Sequence, residues 1–504
     1  MSDVSRRDFI KIAGTTAGVA IATAYSNVSY AGNEKVTIAC IGTGGQGGHH
    51  ILNGLNGNPD VEVVAVCDAL HSRLDEAWKL AGGDKREIKK YTDYKKLLDE
   101  VKCDAVIIST PLFAHYQIVM DCLDAGKWVF CEKTLAYDVD ECRKIVTKCH
   151  EVGKWLQVGH QRRYNPEYNK ALWLARGGDE SASVLGRINH VNAQWHRNND
   201  WRRPVPTDYV LTPEERAIVG ADDLEKWINW RLYFDRSRGG LITELATHQL
   251  DVVNWFLGAM PTRCCGFGGI DYWKDGREVH DNIVMIYEYE VGRDAPSFAV
   301  IPQRNELQKR AELGKPYTVR YTYSSICSNA KREYGEFIQG DRGSIYLTEQ
   351  KGCTMYPEPA AKDNFGQAKK ATTTADAEAK NITGAKTRAF SDEAFLQGVP
   401  IKVLDDRQQA FDNPLVVDRM QFSAFANDIR NGTVPKANQM TAIMSAIAGF
   451  AAIESMERGG VTVDIDPALY TFDFETPDPF RYDFFDEPEE VKKQREAESK
   501  PKAT

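Results

Sequence analysis

The 504-residue chain is predicted to contain a doubly wound parallel α/β domain followed by an α+β domain with helices and an open, mostly antiparallel sheet. Three observations predict this fold class. A short apolar run after Lys35 leads into closely spaced glycines and a helix pattern. Strand and helix patterns then alternate through residue 160, which is typical of a parallel sheet. From Val184 onward, strand patterns alternate apolar and polar residues, as in sheets with one solvated face.

The first 31 residues are predicted to be an export signal that lies outside the fold. Residues 5–11 read SRRDFIK, the pattern of a twin-arginine signal, and a modestly apolar region covers residues 12–24. Small residues up to Ala31 suit cleavage after that position. The alternative is a short membrane anchor, but this apolar run is short for a bilayer and two glycines interrupt it. We therefore expect a periplasmic protein, exported through the twin-arginine pathway, that does not bind membranes after cleavage.

The net charge narrows the class of binding partner, and the cysteine pattern indicates whether disulfide bonds are expected. The net charge of −9 argues against nucleic acid as a partner. The 11 cysteines are odd in number and form no C-x-x-C pair, and several lie in predicted strands. They are therefore interpreted as small buried hydrophobic residues, which fits a protein that folds in the cytoplasm before export.

The first strand pattern, residues 36–41, is followed by Gly42, Gly44 and Gly47 in the spacing G-x-G-x-x-G. This context predicts a Rossmann dinucleotide site: the first glycine allows a tight turn, the second lets backbone N–H groups approach a pyrophosphate, and the third allows close helix packing. Gly45 and Gln46 belong to the same predicted cofactor-binding loop. The alternative is a glycine-rich turn without a ligand.

Asp68 ends the next predicted strand, where a carboxylate can accept hydrogen bonds from the adenosine ribose. Because a carboxylate there repels a 2′-phosphate, the sequence favours NAD over NADP. Arg73 lies close enough in the chain to keep NADP open as the less favoured cofactor.

The remaining elements define the predicted domain boundaries. The Rossmann domain is predicted at residues 34–160 and a domain for substrate and oligomerisation at 161–475. A polar stretch at 357–390 is interpreted as an insertion or mobile loop, and 476–504 as a charged C-terminal tail. Further predicted strands cover 104–110, 127–131, 155–158, 187–195, 282–290, 317–323 and 343–347, and further predicted helices cover 93–101, 115–125, 139–152, 241–257, 421–430 and 440–458.

Two groups of residues carry candidate chemistry. Glu132 and Lys133 end a strand at the ligand-binding edge of the sheet, where a lysine can donate a hydrogen bond to a reacting hydroxyl or transfer its proton. The alternative is a solvated lysine.

On the predicted helix 241–257, Glu244, His248 and Asp251 share one face, so the carboxylate can hold the histidine and tune its pKa. The same spacing suits a divalent metal, and a surface ion-pair stripe is the plainer alternative; no metal is predicted.

Taken in order, these motifs resemble the Gfo/Idh/MocA family of oxidoreductases over about residues 34–350. The matching segments are Asp68 after the glycine loop, Thr110-Pro111 with His115, Glu132-Lys133-Thr134, and Glu244 with His248 after paired glycines. The resemblance implies that Thr110, Pro111, His115, Glu132 and Lys133 surround NAD(P). It also implies that Lys133 and His248 are the catalytic proton-transfer pair, supported by Glu244. Thr134 stands where the family has proline, and Glu244 where it has aspartate.

The resemblance extends to the substrate side and to assembly. Arg162, Arg163, Tyr164, Trp201 and Arg202 resemble substrate-binding segments, and Asp251 is grouped with them; ordinary structural arginines are the alternative. Subunits are expected to associate as a homo-oligomer through the open sheet.

The sequence thus predicts an NAD(P)-dependent oxidoreductase that acts on a sugar, polyol or glycoside with a tightly bound cofactor. One alternative is an NAD-dependent glycoside hydrolase or lyase without net redox change, since an exported enzyme has no obvious soluble pool of NAD. A second alternative is a non-catalytic sugar-binding protein, because the fold alone does not determine the function.

Overall fold

The computed structural model describes residues 34–176, 183–220, 224–292, 316–348, 352–357, 398–401 and 414–480. The predicted signal lies outside the described residues, as do residues 358–390 of the predicted loop and 481–504 of the predicted tail.

The N-terminal domain is built on a six-stranded parallel sheet in the order β3-β2-β1-β4-β5-β6. Its strands are short and mostly apolar because helices cover both faces. The strands are β1 Val36–Ile41, β2 Val61–Cys67, β3 Lys89–Tyr91, β4 Ala105–Ile108, β5 Trp128–Cys131 and β6 Leu156–Val158. The helices are α1 Gly45–His49, which continues as a π-helix at His50–Leu55, α2 His71–Leu80, α3 Tyr94–Glu100, α4 His115–Asp124 and α5 Val139–Glu151. The predicted Rossmann topology is confirmed.

A helix from the C-terminal part of the chain completes this domain. Helix Pro414–Asn431 buries Phe422 and Phe425 in the same core as Val36 and Phe130. At its end, the Arg430 guanidinium donates to the Asp60 carboxylate at 2.9 Å. One face of the parallel sheet is therefore covered by a helix that follows the second sheet in the chain, a contribution that the predicted domain 34–160 does not include.

The second domain contains a nine-stranded sheet in the order β14-β13-β12-β11-β7-β10-β9-β8-β15. Within the described residues, β7 and β10 pair in parallel and the other neighbours are antiparallel, so the predicted open, mostly antiparallel sheet is confirmed. The strands are β7 Ile188–His196, β8 Pro261–Gly269, β9 Asn282–Val291, β10 Tyr317–Ile326, β11 Tyr334–Gly340, β12 Gly343–Leu347, β13 Cys353–Pro357, β14 Val399–Ile401 and β15 Val463–Asp464. The helices from α6 onward are α6 Pro166–Ala175, α7 Pro213–Val219, α8 Leu224–Ile228, α9 Phe234–Ser237, α10 Thr247–Leu257, α11 Pro414–Asn431 and α12 Gln439–Glu457.

The two faces of this sheet differ. One face packs on α10 and α12 and buries apolar residues and tyrosines, including Tyr287 and Tyr321. The opposite face presents Val284 and Ile286, which are 52% and 44% exposed. Within the described ranges, none of the helices combines the length and apolar character needed to cross a bilayer.

Helix α10 does not begin where the apolar pattern predicts. Residues Ile242–Ala246 are wound as a π-helix, and the α-helical part starts only at Thr247. Such local widening often occurs at functional sites. In this protein the π-helical turn changes the direction in which the Glu244 side chain projects relative to His248, and it thereby determines which residue Glu244 contacts in the cavity.

Candidate active site

A cavity of about 960 Å³ lies between the two domains. It opens at the carboxyl ends of the parallel strands, since Ile41, Cys67, Ser109 and Glu132, which end or follow strands β1, β2, β4 and β5, all contribute to its wall. Open α/β sheets bind ligands at this edge. The second domain supplies the facing wall, which includes Trp195, Trp201, Trp230, Arg231, Glu244 and His248.

The glycine loop forms a cradle that side chains would fill. Gly42 has φ of +82°, and a Cβ there would lie 2.6 Å from the Thr110 backbone nitrogen. A Cβ on Gly47 would lie 2.0 Å from the carbonyl oxygen of Gly42. Gly44, Gly45 and Gln46 line the cavity. The loop therefore brings bare backbone to the cavity, which is what close approach of a pyrophosphate requires.

Asp68 lies in the cavity wall beside this loop. Its carboxylate accepts hydrogen bonds from the backbone N–H of Thr43 at 2.8 Å and of Leu70 at 3.0 Å. Burial raises the pKa of Asp68, and the nearby Arg73 guanidinium opposes that effect. Each carboxylate oxygen has more than one acceptor position, so the side chain can also accept from ribose hydroxyls.

The strand that ends before Thr110 supplies further polar groups. Across the part of the chain that the structure describes, the buried hydroxyls of Ser109 and Thr110 have no hydrogen-bond partner, and both residues line the cavity. Pro111 also lines it. Buried polar groups without partners are uncommon in proteins. Together with the glycine cradle, they fit a polar ligand such as a dinucleotide.

His115 and Glu132 both form hydrogen bonds within the N-terminal domain, close to the ends of the parallel strands. The two ring nitrogens of His115 each lie 2.9 Å from a backbone carbonyl, of Thr110 and of Thr134, and burial lowers the pKa of this histidine. Glu132 accepts from the His50 ring at 2.7 Å. Burial alone would raise the pKa of Glu132, but the His50 hydrogen bond and nearby positive charges outweigh it and lower that pKa. His50, which the sequence analysis missed, fixes Glu132 next to Lys133.

Lys133 reaches across to the second domain. Its Nζ donates to the Glu244 carbonyl oxygen at 3.0 Å and lies 4.0 Å from the Glu244 carboxylate. The next residue, Thr134, donates its hydroxyl to the Thr243 carbonyl at 2.7 Å, and the peptide bond between Lys133 and Thr134 is cis. The lysine is therefore largely buried at the domain interface, not a solvated surface residue.

Glu244 pairs with arginine rather than with His248. The Arg231 Nε donates to the Glu244 carboxylate at 2.7 Å. The expectation that this carboxylate holds the imidazole is corrected, because the π-helical turn at Ile242–Ala246 removes the regular i, i+4 relation to His248. Within the described residues, no group of three or more His, Cys, Asp or Glu side chains is placed to hold a metal ion.

His248 faces the cavity as a neutral base. Its ring packs against Trp195, with the ring centres 5.7 Å apart, and against His160, at 6.1 Å. Burial, with the positive charges of Lys133 and Arg162, lowers the pKa of His248 well below its usual value of 6.5. In the described structure, the buried Nδ1 has no hydrogen-bond partner. The imidazole is thus uncharged near neutral pH, and its residue lines the cavity.

Most of the residues predicted to bind substrate do not reach the cavity. The Arg163 guanidinium forms a two-pronged ion pair with Asp251, at 2.9 and 2.8 Å, and both side chains are buried. The Arg162 guanidinium donates to Glu336 at 2.8 Å. The cavity wall includes Trp201 but not Arg162, Arg163, Tyr164, Arg202 or Asp251. That part of the prediction is corrected: Arg163 and Asp251 neutralise each other, and Arg162 and Arg202 pair with other carboxylates of the protein.

The cavity also contains residues that the sequence analysis did not select. Trp195 stacks on Tyr334 with ring centres 4.5 Å apart, and Arg231 pairs with Glu244. All lie in the wall near Lys133 and His248. No local motif marks Arg231 or Tyr334, because the tertiary fold brings them to the site; the alternating strand that carries Trp195 was the only usable signal.

Family models match both domains. Residues 36–160 match the model "Oxidoreductase family, NAD-binding Rossmann fold" of the GFO/IDH/MocA family, and residues 181–296 match the C-terminal domain model of the same family. Over these two regions the chain is similar to the Gfo/Idh/MocA family. The N-terminal domain is accordingly an NAD-binding Rossmann domain.

Curated and solved proteins agree with this assignment. Inositol 2-dehydrogenase of Rubrobacter xylanophilus is 34% identical over 196 residues, which is 39% of this chain and 52% of that protein. The inositol 2-dehydrogenase/D-chiro-inositol 3-dehydrogenase of Lactiplantibacillus plantarum is 35% identical over 221 residues, 44% of this chain and 52% of that protein. The chain therefore spans about half the length of these curated relatives.

Among solved structures, a levoglucosan dehydrogenase in complex with NADH and L-sorbose superposes with a TM-score of 0.57 at 15% identity, covering 86% of this chain and 99% of that one. At this level of identity the likeness shows the shared two-domain fold.

Proposed function

We propose that this protein is an NAD-dependent oxidoreductase that oxidises a carbinol carbon of a polyol or sugar to a carbonyl, or reduces that carbonyl in the reverse direction. The observation that carries the proposal is the placement of Lys133 and His248. They come from different domains and line the same cavity as the glycine loop and Asp68. Proton-transferring groups beside a dinucleotide site are the components that such a reaction requires.

The cofactor would lie along the carboxyl ends of the parallel strands. The glycine loop would hold its pyrophosphate, and Asp68 would accept hydrogen bonds from the adenosine ribose. Ser109 and Thr110 would offer their unpartnered hydroxyls to its nicotinamide half. When bound there, the nicotinamide supplies a reversible hydride acceptor. Side chains of the protein itself would orient the substrate hydroxyl and transfer its proton. The carboxylate at Asp68 is the reason for preferring NAD to NADP.

His248 is assigned as the proton acceptor and Lys133 as the group that orients the substrate hydroxyl. The lowered pKa of His248 keeps its ring neutral, so it can take the hydroxyl proton as the carbonyl forms. The Lys133 ammonium, held by the Glu244 carbonyl, can donate a hydrogen bond to the same oxygen. Glu244, itself held by Arg231, positions Lys133. In the reverse direction the same groups return the proton.

The walls of the cavity suit a polyhydroxylated ring. Trp195, Tyr334, Trp201 and Trp230 present aromatic surface, and Arg231 adds a charged donor. A polyol offers C–H faces that pack on aromatic rings and hydroxyls that bond to polar side chains. The relatives named as inositol dehydrogenases act on compounds of this class, which supports the same substrate class here.

The test is a substrate panel of inositols, sugars and glycosides, with NADH formation followed by absorbance. Lys133→Met and His248→Ala should each lower turnover by roughly 10²–10⁴-fold, the usual contribution of a positioned acid or base. NADH binding should persist in both variants, since neither residue belongs to the glycine loop. Lys96→Met, at an exposed position, is the matched control. Wild-type turnover in either site variant would refute the assignment of that residue.

A second candidate function is a glycoside hydrolase or lyase that uses the bound cofactor without net redox change. Two features favour it: the predicted export signal, and the contacts described below that close the second domain over the cofactor cleft. Purified protein would be incubated with glycosides and no added NAD. Release of free aglycone favours this candidate, a keto-sugar favours oxidoreduction, and neither product favours a sugar-binding protein.

The proposal also covers the cellular location of the protein and its assembly into oligomers. We propose that the protein acts in the periplasm after twin-arginine export, carrying a tightly bound cofactor. The exposed apolar side chains of Val284 and Ile286 on the open sheet support a homo-oligomer contact at that face.

A further inference from the structure

A segment of the second domain crosses the cofactor cleft; we call residues 201–220 and 224–238 the crossing segment. Leu211 and Val219 of this segment form a small buried cluster with Leu70, two residues after Asp68. The Glu215 carboxylate accepts from the backbone N–H of His71 at 2.8 Å. These contacts fix the segment at the ribose side of the cavity.

The same segment is also fixed on the other side of the cavity. Trp227 packs edge-to-face on Phe113, with ring centres 5.6 Å apart, and Phe113 follows the cofactor-side residue Pro111. The guanidinium of Arg236 lies 4.6 Å from the centre of the same Phe113 ring. The crossing segment therefore contacts the N-terminal domain on both sides of the glycine loop.

Arg203 is the residue of this segment that points at the loop. Its backbone is held by Asn229, which accepts from the Arg203 N–H at 2.7 Å and donates to the Arg203 carbonyl at 3.0 Å. A Cβ built on Gly45 would lie 2.7 Å from a terminal nitrogen of Arg203, so the guanidinium rests directly against the glycine loop. The backbone of Arg203 is thus fixed before any ligand arrives.

Arg73 approaches the loop from the other side. A Cβ on Gly44 would lie 3.2 Å from its guanidinium. Among the described residues, no hydrogen-bond or ion-pair acceptor meets the guanidinium of Arg73 or Arg203, although both line the cavity. Burial, together with the positive charges of Arg231 and Arg73, lowers the pKa of Arg203. Two guanidiniums that approach the same loop without a protein acceptor are well suited to bind an anion there.

We propose that Arg203 and Arg73, one from each domain, bind the pyrophosphate of the dinucleotide and hold it against the glycine loop. This inference rests on the proposed function, because it names the contacts of the same cofactor. It adds that the cofactor is retained by the second domain, so its release requires the crossing segment to separate from Leu70 and His71. Guanidiniums suit this role because their forked N–H groups match phosphate oxygens.

The experiment measures how fast NADH leaves the protein. Protein loaded with NADH would be mixed with excess NAD⁺, and loss of NADH fluorescence would give the dissociation rate. Arg203→Ala should raise that rate by about 10- to 100-fold, the usual effect of losing a charged hydrogen bond. Arg203→Lys should give a smaller increase, because it keeps the charge but not the fork. Arg216→Ala, exposed on the same segment, is the matched control and should leave the rate unchanged.

A second variant tests the segment independently of the arginine. Glu215→Gln weakens the contact with the His71 backbone and should also speed NADH release while Arg203 is intact. Thermal melting without NADH would show whether each variant is folded.

The possible failures are distinguishable. If wild-type protein binds no NADH, the proposed function itself fails. If it binds NADH but folded Arg203→Ala releases it at the wild-type rate, the pyrophosphate contact is refuted. If Arg203→Ala weakens NADPH binding far more than NADH binding, the arginines serve a 2′-phosphate instead, and the proposal is overturned.

Discussion

Replacing Asp251 with alanine should destabilise the protein without acting on the chemistry. The Arg163 guanidinium donates to Asp251 through Nε at 2.9 Å and through a terminal nitrogen at 2.8 Å, and both side chains are buried. Removing one partner of a buried ion pair costs about 3–5 kcal/mol, because the remaining charge stays buried. Backbone carbonyls of Lys436 and Pro479 also accept from Arg163, so we expect the lower end, about 3 kcal/mol.

This loss in the free energy of unfolding can be expressed as a decrease in the melting temperature, Tm. At about 2.1 cal/mol/K per residue, a cooperative unit of roughly 300 residues unfolds with an entropy near 0.6 kcal/mol/K, so about 3 kcal/mol lowers Tm by roughly 5 °C. Thermal unfolding followed by circular dichroism measures it. Asp251→Asn keeps an acceptor for Arg163 and should lose less, and Asp99→Ala, at an exposed position, is the control. An unchanged Tm together with a large rise in KM would show that Asp251 contacts substrate and that the ion pair is not its main role.

Four further outcomes follow from the same structure and sequence. Because the pKa of His248 is lowered well below 6.5, kcat/KM should not decline between pH 8 and 6.5, and the acidic limb should lie lower; a pH–rate profile with an inflection near 7 would contradict this. Gly47→Ala places a Cβ 2.0 Å from a carbonyl oxygen and should reduce NADH binding at least 10-fold by titration. Phe422→Ala should destabilise the protein by about 3–5 kcal/mol in chemical unfolding, since its ring packs 5.0 Å from that of Phe130; an unchanged midpoint would contradict its core role. Changing Arg6 and Arg7 together to lysine should leave the precursor in the cytoplasm by fractionation, and normal export would disprove the signal.

Local patterns in the sequence were sufficient for the dinucleotide half of the site. The strand at Val36–Ile41, the glycine loop and Asp68 lie close together in the chain, and strand periodicity with turn chemistry determines them. Lys133 could be assigned to the ligand edge for the same reason, since it directly follows a buried strand. His248 was found from its motif, although Glu244, the partner expected for it, pairs with Arg231 instead.

Only the tertiary structure decided which polar side chains face the cavity. Arg163 and Asp251 are 88 residues apart and neutralise each other inside the second domain, so their motif-like positions did not imply substrate contact. A π-helical turn directs Glu244 to Arg231, and no residue pattern in the sequence announced it.

Long-range packing also completed the N-terminal domain and the cofactor cleft. Arg430 reaches Asp60 across 370 positions, and Arg203 reaches the glycine loop from the other domain. Sequence periodicity reports which face of an element is apolar, but not which distant element covers it, because that choice depends on how all the buried surfaces pack together. The sequence by itself therefore determined the strand–glycine loop–strand unit and the order of the domains. The tertiary structure decided the partners of Glu244 and Asp251 and the arginines that converge on the loop.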